Sequence, residues 1–154
     1  MVSVAKVLDA YRALKHVKYT FGAKADGRPF NQITELDCSG FVQAVLKYAG
    51  MLDFPAGSVL QHERVKILKW REIPYENLKF AKDDGARLFI MFIAPTDGRP
   101  GHVALVNAGR TIECASGFGV GRRRWNARPL ASRNPVVYEV PTAEAAQREK
   151  DNRH

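Results

Sequence analysis

Residues 36–50 read LDCSGFVQAVLKYAG, and this stretch sets how the rest of the chain is interpreted. Phe41, Val42, Val45, Leu46 and Ala49 recur at helical spacing and form one apolar stripe. Asp37 is placed to cap this helix, Lys47 falls in its last turn, and Gly50 is its stop. Cys38 stands at the helix entrance rather than inside the stripe. Unpaired N–H groups and the positive end of the helix dipole both favour a thiolate there, the reactive form of cysteine. Gly40 keeps side-chain bulk out of the first turn, which leaves room for a substrate carbonyl. The same N–H groups would stabilise its oxyanion. Asp37 would oppose a thiolate if it pointed at the sulfur, so it is expected to turn back onto the backbone. The competing reading of Cys38 is a small packed thiol.

A nucleophilic thiol needs a base, and the histidines are His16, His62, His102 and His154. His154 lies in the tail, His16 ends the first helix as an exposed cap, and His62 sits in LQHER without a supporting pattern. His102 opens the strand GHVALV and is the best placed. With Ala108–Gly109 as a tight turn, Val106 pairs with Thr111, Ala104 with Glu113 and His102 with Ala115. One hairpin face then carries Val103, Leu105, Ile112 and Cys114 and belongs in the core. The other carries His102, Ala104, Val106, Thr111 and Glu113. His102 and Glu113 become diagonal neighbours, about 7–8 Å apart at the backbone, with small Ala104 leaving the space between them open. A register slip of one would set Cys114 beside His102 and send Glu113 toward the core, which the clean division of faces argues against. Glu113 is therefore the candidate to orient the imidazole and stabilise its charged form. Cys114 is expected in the core.

The chain has 154 residues, 45% hydrophobic and 26% charged, which suits one globular domain and excludes general disorder. The N-terminus is interrupted by Lys6, Asp9 and Arg12 and does not have the apolar run of a secretion signal. Val4, Val7, Leu8, Tyr11 and Leu14 predict an amphipathic helix over roughly residues 3–16. Action outside the cytoplasm would then need a route without a cleaved leader, or a processed chain. No apolar run approaches the roughly 20 residues of a membrane-spanning helix. Leu88–Pro95, LFIMFIAP, has the length of a buried strand. A short helix is expected over Ser58–Leu68, and Glu76–Asp84 is ambiguous. Strands are expected at Arg87–Ile93, Gly101–Val106, Thr111–Ala115 and Val136–Val140. Helices first and an antiparallel sheet afterwards predict an α+β fold. It forms one domain over residues 1–141, with a polar tail over 142–154 expected to fray. Two cysteines make no disulfide framework and no zinc motif, and their contexts point to separate jobs. The formal net charge of +8 favours polyanions as partners. In GRRRW, Arg122, Arg123 and Arg124 are placed either to grip phosphates or substrate carboxylates or to form a solvated face.

LDCSGFVQAV around Cys38 and GHVALVNAGRTIECA around His102 resemble the NlpC/P60 family of cysteine peptidases, which cleave bacterial cell-wall peptides. YTFGAK resembles that family's Tyr-x-x-Gly segment, and FPAGSVLQ its Pro-then-Gln stretch. The matches keep the family's order over roughly residues 19–116. The resemblance implies a papain-like fold, with the nucleophile helix packed on a small antiparallel sheet. It also implies Cys38 as nucleophile, His102 as base, Tyr19 beside the thiol, and no metal or cofactor. The family's third polar residue, often His, Asn or Gln, falls on Glu113. That is a departure, and a carboxylate there favours imidazolium more than a neutral partner does. A second departure is KDDGARLFIMFIAPTDGRPGHVAL in place of a Pro-Gly-Asp turn. With CSGFVQ, this arrangement is similar to the amidase effectors of bacterial type VI secretion. Leaderless phage-associated wall hydrolases fit equally.

The resemblance implies hydrolysis of the γ-D-glutamyl–diaminopimelate bond of a peptidoglycan stem peptide, in the periplasm or cell wall. For an effector it implies a cognate immunity protein as a second partner. Nucleic acid and membrane are not expected partners. Ser39 and Arg122–Arg124 are the candidates for substrate contact, the arginines toward stem-peptide carboxylates. Two rival readings stand beside it. One is a thiol acyltransferase or lipid-acting hydrolase of a related fold, for which no acyl channel is evident. The other is a basic polyanion-binding module in which Cys38 is only structural.

Overall fold

The computed structural model describes residues 1–153, so His154 lies outside the described residues. In chain order the elements are α1 (Val4–Ala13), β1 (Lys18–Tyr19), β2 (Glu35–Leu36), α2 (Cys38–Tyr48), α3 (Ser58–Ile67) and β3 (Glu72–Ile73). They continue with β4 (Leu88–Ile93), β5 (His102–Asn107), β6 (Arg110–Ala115), β7 (Gly119–Gly121), α4 (Arg128–Ala131), β8 (Val136–Val140) and α5 (Ala143–Asp151). The fold is α+β. Six strands form an antiparallel sheet in the order β3-β8-β4-β5-β6-β7, and β1 and β2 form a separate parallel pair.

Every residue of β4 is buried, as its unbroken apolar run requires, because both faces of the sheet are covered. Leu88, Ile90 and Phe92 join Val103, Leu105, Ile112 and Cys114 in the core beneath α2. The stripe expected on α2 faces this core, with Phe41, Val42, Val45, Leu46 and Ala49 all buried. On the other side, Phe89, Met91, Ile93, Ala104 and Val106 pack with Leu78, Ala81 and Leu130 in a second apolar cluster. The ambiguous segment thus resolves into a 3₁₀ stretch, Tyr75–Ala81, that covers this second face. The hairpin face carrying Thr111 and Glu113 is consequently buried as well.

Next to the turn the hairpin pairs as expected, with Val106 opposite Thr111, flanked by Leu105 opposite Ile112 and Asn107 opposite Arg110. Ala108 and Gly109 turn the chain with φ of 51° and 79°, the left-handed pair that a two-residue turn of this hand demands.

The C-terminal segment departs from the expected frayed tail. It forms α5, capped by the Thr142 hydroxyl, which accepts from Ala145 N at 3.1 Å and donates to the Ala86 carbonyl at 2.7 Å. Glu144 then reaches across to the start of α1, where its two oxygens accept from Val4 N and Ala5 N, each at 2.9 Å. Polar composition pointed to fraying. The unpaired amides of a distant helix supplied the partner that composition does not reveal.

Candidate active site

The entrance of α2 is organised by Asp37. One carboxylate oxygen accepts from Gly40 N at 2.7 Å and from the Ser39 hydroxyl at 3.2 Å, while the other is held by Lys24. Asp37 therefore turns back onto the backbone, as expected. Gly40 has a different reason from the one its sequence position indicated. A Cβ there would lie 2.7 Å from the Ala23 carbonyl oxygen and 3.2 Å from the Lys24 side chain. The missing side chain admits the loop that carries Lys24, not a substrate. Ser39 is also taken up internally. It is 3% exposed, its hydroxyl serves Asp37, and its carbonyl accepts from the Gln61 amide at 2.9 Å. The N–H groups of Cys38 and Ser39, in the first helical turn, have no partner among the described residues.

Cys38 is 8% exposed, and the base nominated for it, His102, is beside it on β5. The thiol does not make a hydrogen bond of full geometry to the ring, but it is close enough to favour the ring's charged form. The Nε2 atom of His102 lies 2.7 Å from Glu113 Oε1, so the diagonal pair derived from the hairpin register is in contact. That leaves Nδ1 for the thiol. Glu113 is fully buried and accepts from several directions. Arg123 forks onto it, Nε to Oε2 and Nη2 to Oε1, both at 2.8 Å, and the Thr111 hydroxyl donates to Oε2.

The electrostatics follow from these contacts. Burial by itself lowers the His102 pKa, but hydrogen bonding and charge from Cys38 and Glu113 outweigh it and push it up to about 9. Burial raises the Glu113 pKa, and the hydrogen bonds from Arg123 and His102, the charge of His102 and the bond from Thr111 overcome this and bring it down to about 2. Imidazolium and carboxylate are thus the forms present near neutral pH.

Tyr19 is half-buried on β1, the strand beside the segment leading into Cys38. Its phenol pKa is raised by burial and further by the charges of Cys38, Asp37 and Cys114. Cys114 belongs to the core, where its thiol donates to the Leu36 carbonyl at 3.4 Å and burial pushes its pKa up to about 12. Both cysteines are free.

The arginine run is not the substrate clamp considered from sequence. Arg122 donates to the carbonyls of Thr111 and Asn107 at 3.0 and 2.8 Å, and Arg123 is committed to Glu113. Arg124 is exposed beside the turn at Ala108–Gly109, at the end of the hairpin away from His102. Among the other histidines, His16 bonds the Ile33 carbonyl at 2.8 Å, and His62 stacks on Phe92 with Nε2 3.0 Å from the Tyr138 hydroxyl.

Sequence reasoning missed the support roles of Arg123, Thr111 and Gln61. The Gln61 side-chain amide bridges the carbonyls of Ser39 and Pro55, each at 2.9 Å, and pins α3 to the entrance of α2. The glutamine in FPAGSVLQ was its only signal. The Arg123–Glu113 contact depends on β7 returning alongside β6, a pairing that local pattern does not announce.

A cavity of about 670 Å³ lies along the outer side of α2, between Lys24–Phe30 and Lys47–Tyr48, and neither Cys38 nor His102 lines it. Among the described residues, no group of three or more His, Cys, Asp or Glu side chains could hold a metal ion, and no helix is long and apolar enough to cross a membrane. Comparison with protein-family models and with curated proteins yields no match.

Proposed function

We propose that this chain is a cysteine amidase that hydrolyses an amide bond in the stem peptides of bacterial peptidoglycan. In this reading its α+β architecture is the papain-like arrangement of the NlpC/P60 family. The observation that supports it most is an imidazole bound through Nε2 to a buried, arginine-held carboxylate, with its charged form favoured by a helix-entrance cysteine. Buried charge is costly unless paired, and a packed structural thiol has no need of such a network.

The chemistry follows from the placement of the groups. The Cys38 sulfur attacks the amide carbonyl carbon, and the N–H groups of Cys38 and Ser39 receive the oxyanion. The His102 imidazolium gives its proton to the amide nitrogen as the C–N bond breaks, and the amine leaves. Water then adds to the thioester and loses a proton to His102. The C–S bond breaks, releasing a carboxylic acid that loses its proton to solvent and returning the Cys38 sulfur and the His102 imidazolium to their starting forms. Glu113, steadied by Arg123 and Thr111, holds the imidazole so that Nδ1 faces the sulfur. Tyr19, on the strand paired with the segment leading into Cys38, is the proposed tyrosine beside the thiol. The γ-D-glutamyl–diaminopimelate bond is the proposed target, with the periplasm or cell wall as the place of action.

Mass spectrometry of purified peptidoglycan fragments incubated with the protein tests this, with Cys38→Ala as control. Loss of intact stem peptides with the wild type alone is expected, and the fragment masses name the bond. A folded, reduced sample that cleaves neither tetrapeptide nor cross-linked fragments would overturn the peptidoglycan assignment. Acyl esters would then be the next substrates to try.

A further inference from the structure

A second cluster of charge lies at the far end of the β5–β6 hairpin. Arg110 opens β6 and Arg124 follows β7, and their backbones meet in an isolated antiparallel bridge. Directly opposed residues project from the same face about 4.5–5.5 Å apart at Cβ, and like charges in that position repel. Elsewhere in the run each guanidinium is satisfied, Arg122 by carbonyls and Arg123 by Glu113. Arg110 and Arg124 are both exposed and make no ion pair or side-chain hydrogen bond with any described residue. The field of Arg110 is felt at Arg122, whose pKa is lowered first by burial and further by that charge.

The surroundings form a receptacle for an anion. The two arginines, Lys82, Asp83, Trp125 and Asn126 line a cavity of about 430 Å³ in which three cations face one acid. Lys82 is held there because Gly109 packs against it; a Cβ on Gly109 would lie 2.9 Å from the Lys82 carbonyl oxygen. Trp125 is fixed edge-on against Tyr75 at 5.2 Å, and the Tyr75 hydroxyl donates to the Trp125 carbonyl at 2.7 Å. Strand β5 separates this end from His102 by roughly 17–20 Å, so the cluster does not belong to the thiol site.

We infer that the hairpin tip is an oxyanion site that takes a phosphate group between Arg110 and Arg124. Two unpaired guanidiniums on one bridge, with Lys82 in the same lining, suit the several oxygens of a phosphate group. The bound anion neutralises the opposed pair. The inference does not depend on the amidase reading.

Thermal unfolding in inorganic phosphate, in pyrophosphate and in sodium chloride of equal ionic strength tests it, on wild type, Arg110→Gln and Arg124→Gln. The wild type is expected to gain Tm in phosphate beyond the chloride control, as any ligand selective for the folded state produces. Each variant should lose that gain and bind about five- to tenfold more weakly by NMR titration of the Arg110 and Trp125 amides. In low salt without phosphate, Arg124→Gln should melt about 1–3 °C above wild type, because the opposed charges are gone. A gain with pyrophosphate alone would assign the site to linked phosphates. The inference is overturned if neither anion exceeds chloride, if the variants keep the gain, or if Arg124→Gln melts lower than wild type in low salt.

Discussion

Replacing Glu113 by Gln removes the one charge that holds two cations together. Oε1 of Glu113 lies 2.7 Å from His102 Nε2 and 2.8 Å from Arg123, and Oε2 takes Arg123 Nε at 2.8 Å. An amide keeps the shape but leaves the Arg123 guanidinium facing His102 with no counter-charge. Removing one partner of a buried ion pair costs about 3–5 kcal/mol. The Arg123 side chain is 26% exposed, so solvent screens part of the loss, and about 3 kcal/mol is expected. For a chain of this size that is about 6–12 °C in Tm. Adding Arg123→Gln removes the stranded cation, and the double variant should regain about 1–2 kcal/mol over Glu113→Gln. The imidazole provides an independent readout. The His102 pKa, pushed up to about 9 in the wild type, should fall in Glu113→Gln, since the bond and charge of Glu113 are gone while burial and Arg123 oppose what Cys38 still contributes. Calorimetry measures the first effect and NMR of the imidazole protons the second. A His102 midpoint that stays near 9, or a double variant no more stable than the single, would refute this account of the network.

Stability should depend on pH through the same pair. His102 binds its proton more tightly folded than unfolded, so its contribution is complete below about 6.5 and is lost as pH rises through about 9. Glu113 does the opposite, contributing fully above about 4.5 and losing it as pH falls through about 2. Tm against pH should therefore be highest between these limits, and Glu113→Gln should flatten both limbs; an unchanged profile in that variant would assign the dependence to other groups. Asp37→Ala should cost about 1–2 kcal/mol by calorimetry through loss of the cap on Gly40 N, with Asp37→Asn costing less because it keeps an acceptor. Glu144→Ala should speed amide exchange at Val4 and Ala5 while leaving exchange in β4 unchanged. Equal protection in wild type and variant would mean that α5 does not hold α1.

Much of the site is legible in one dimension because it is built from local rules. A cysteine between an N-capping aspartate and an apolar helical stripe predicts its own position at the start of α2. A two-residue turn at Ala108–Gly109 sets the hairpin pairing, and pairing determines which side chains share a face, so local pattern alone matches His102 with Glu113. The α+β order and the buried β4 follow in the same way, from periodicity and from the length of an apolar run. What surrounds those elements depends on contacts between residues distant in the chain. Arg123 finds Glu113 because β7 folds back on β6, and Ala23 fills the space at Gly40 because a loop crosses α2. The last turns of the chain are helical because Glu144 meets the first amides of α1, 140 and 139 positions away. An arginine, a glycine and a glutamate each admit several roles by chemistry alone. Only packing determines which partner is within reach, since the energy of a charge or a cap is decided by the group beside it and by how much water remains between them.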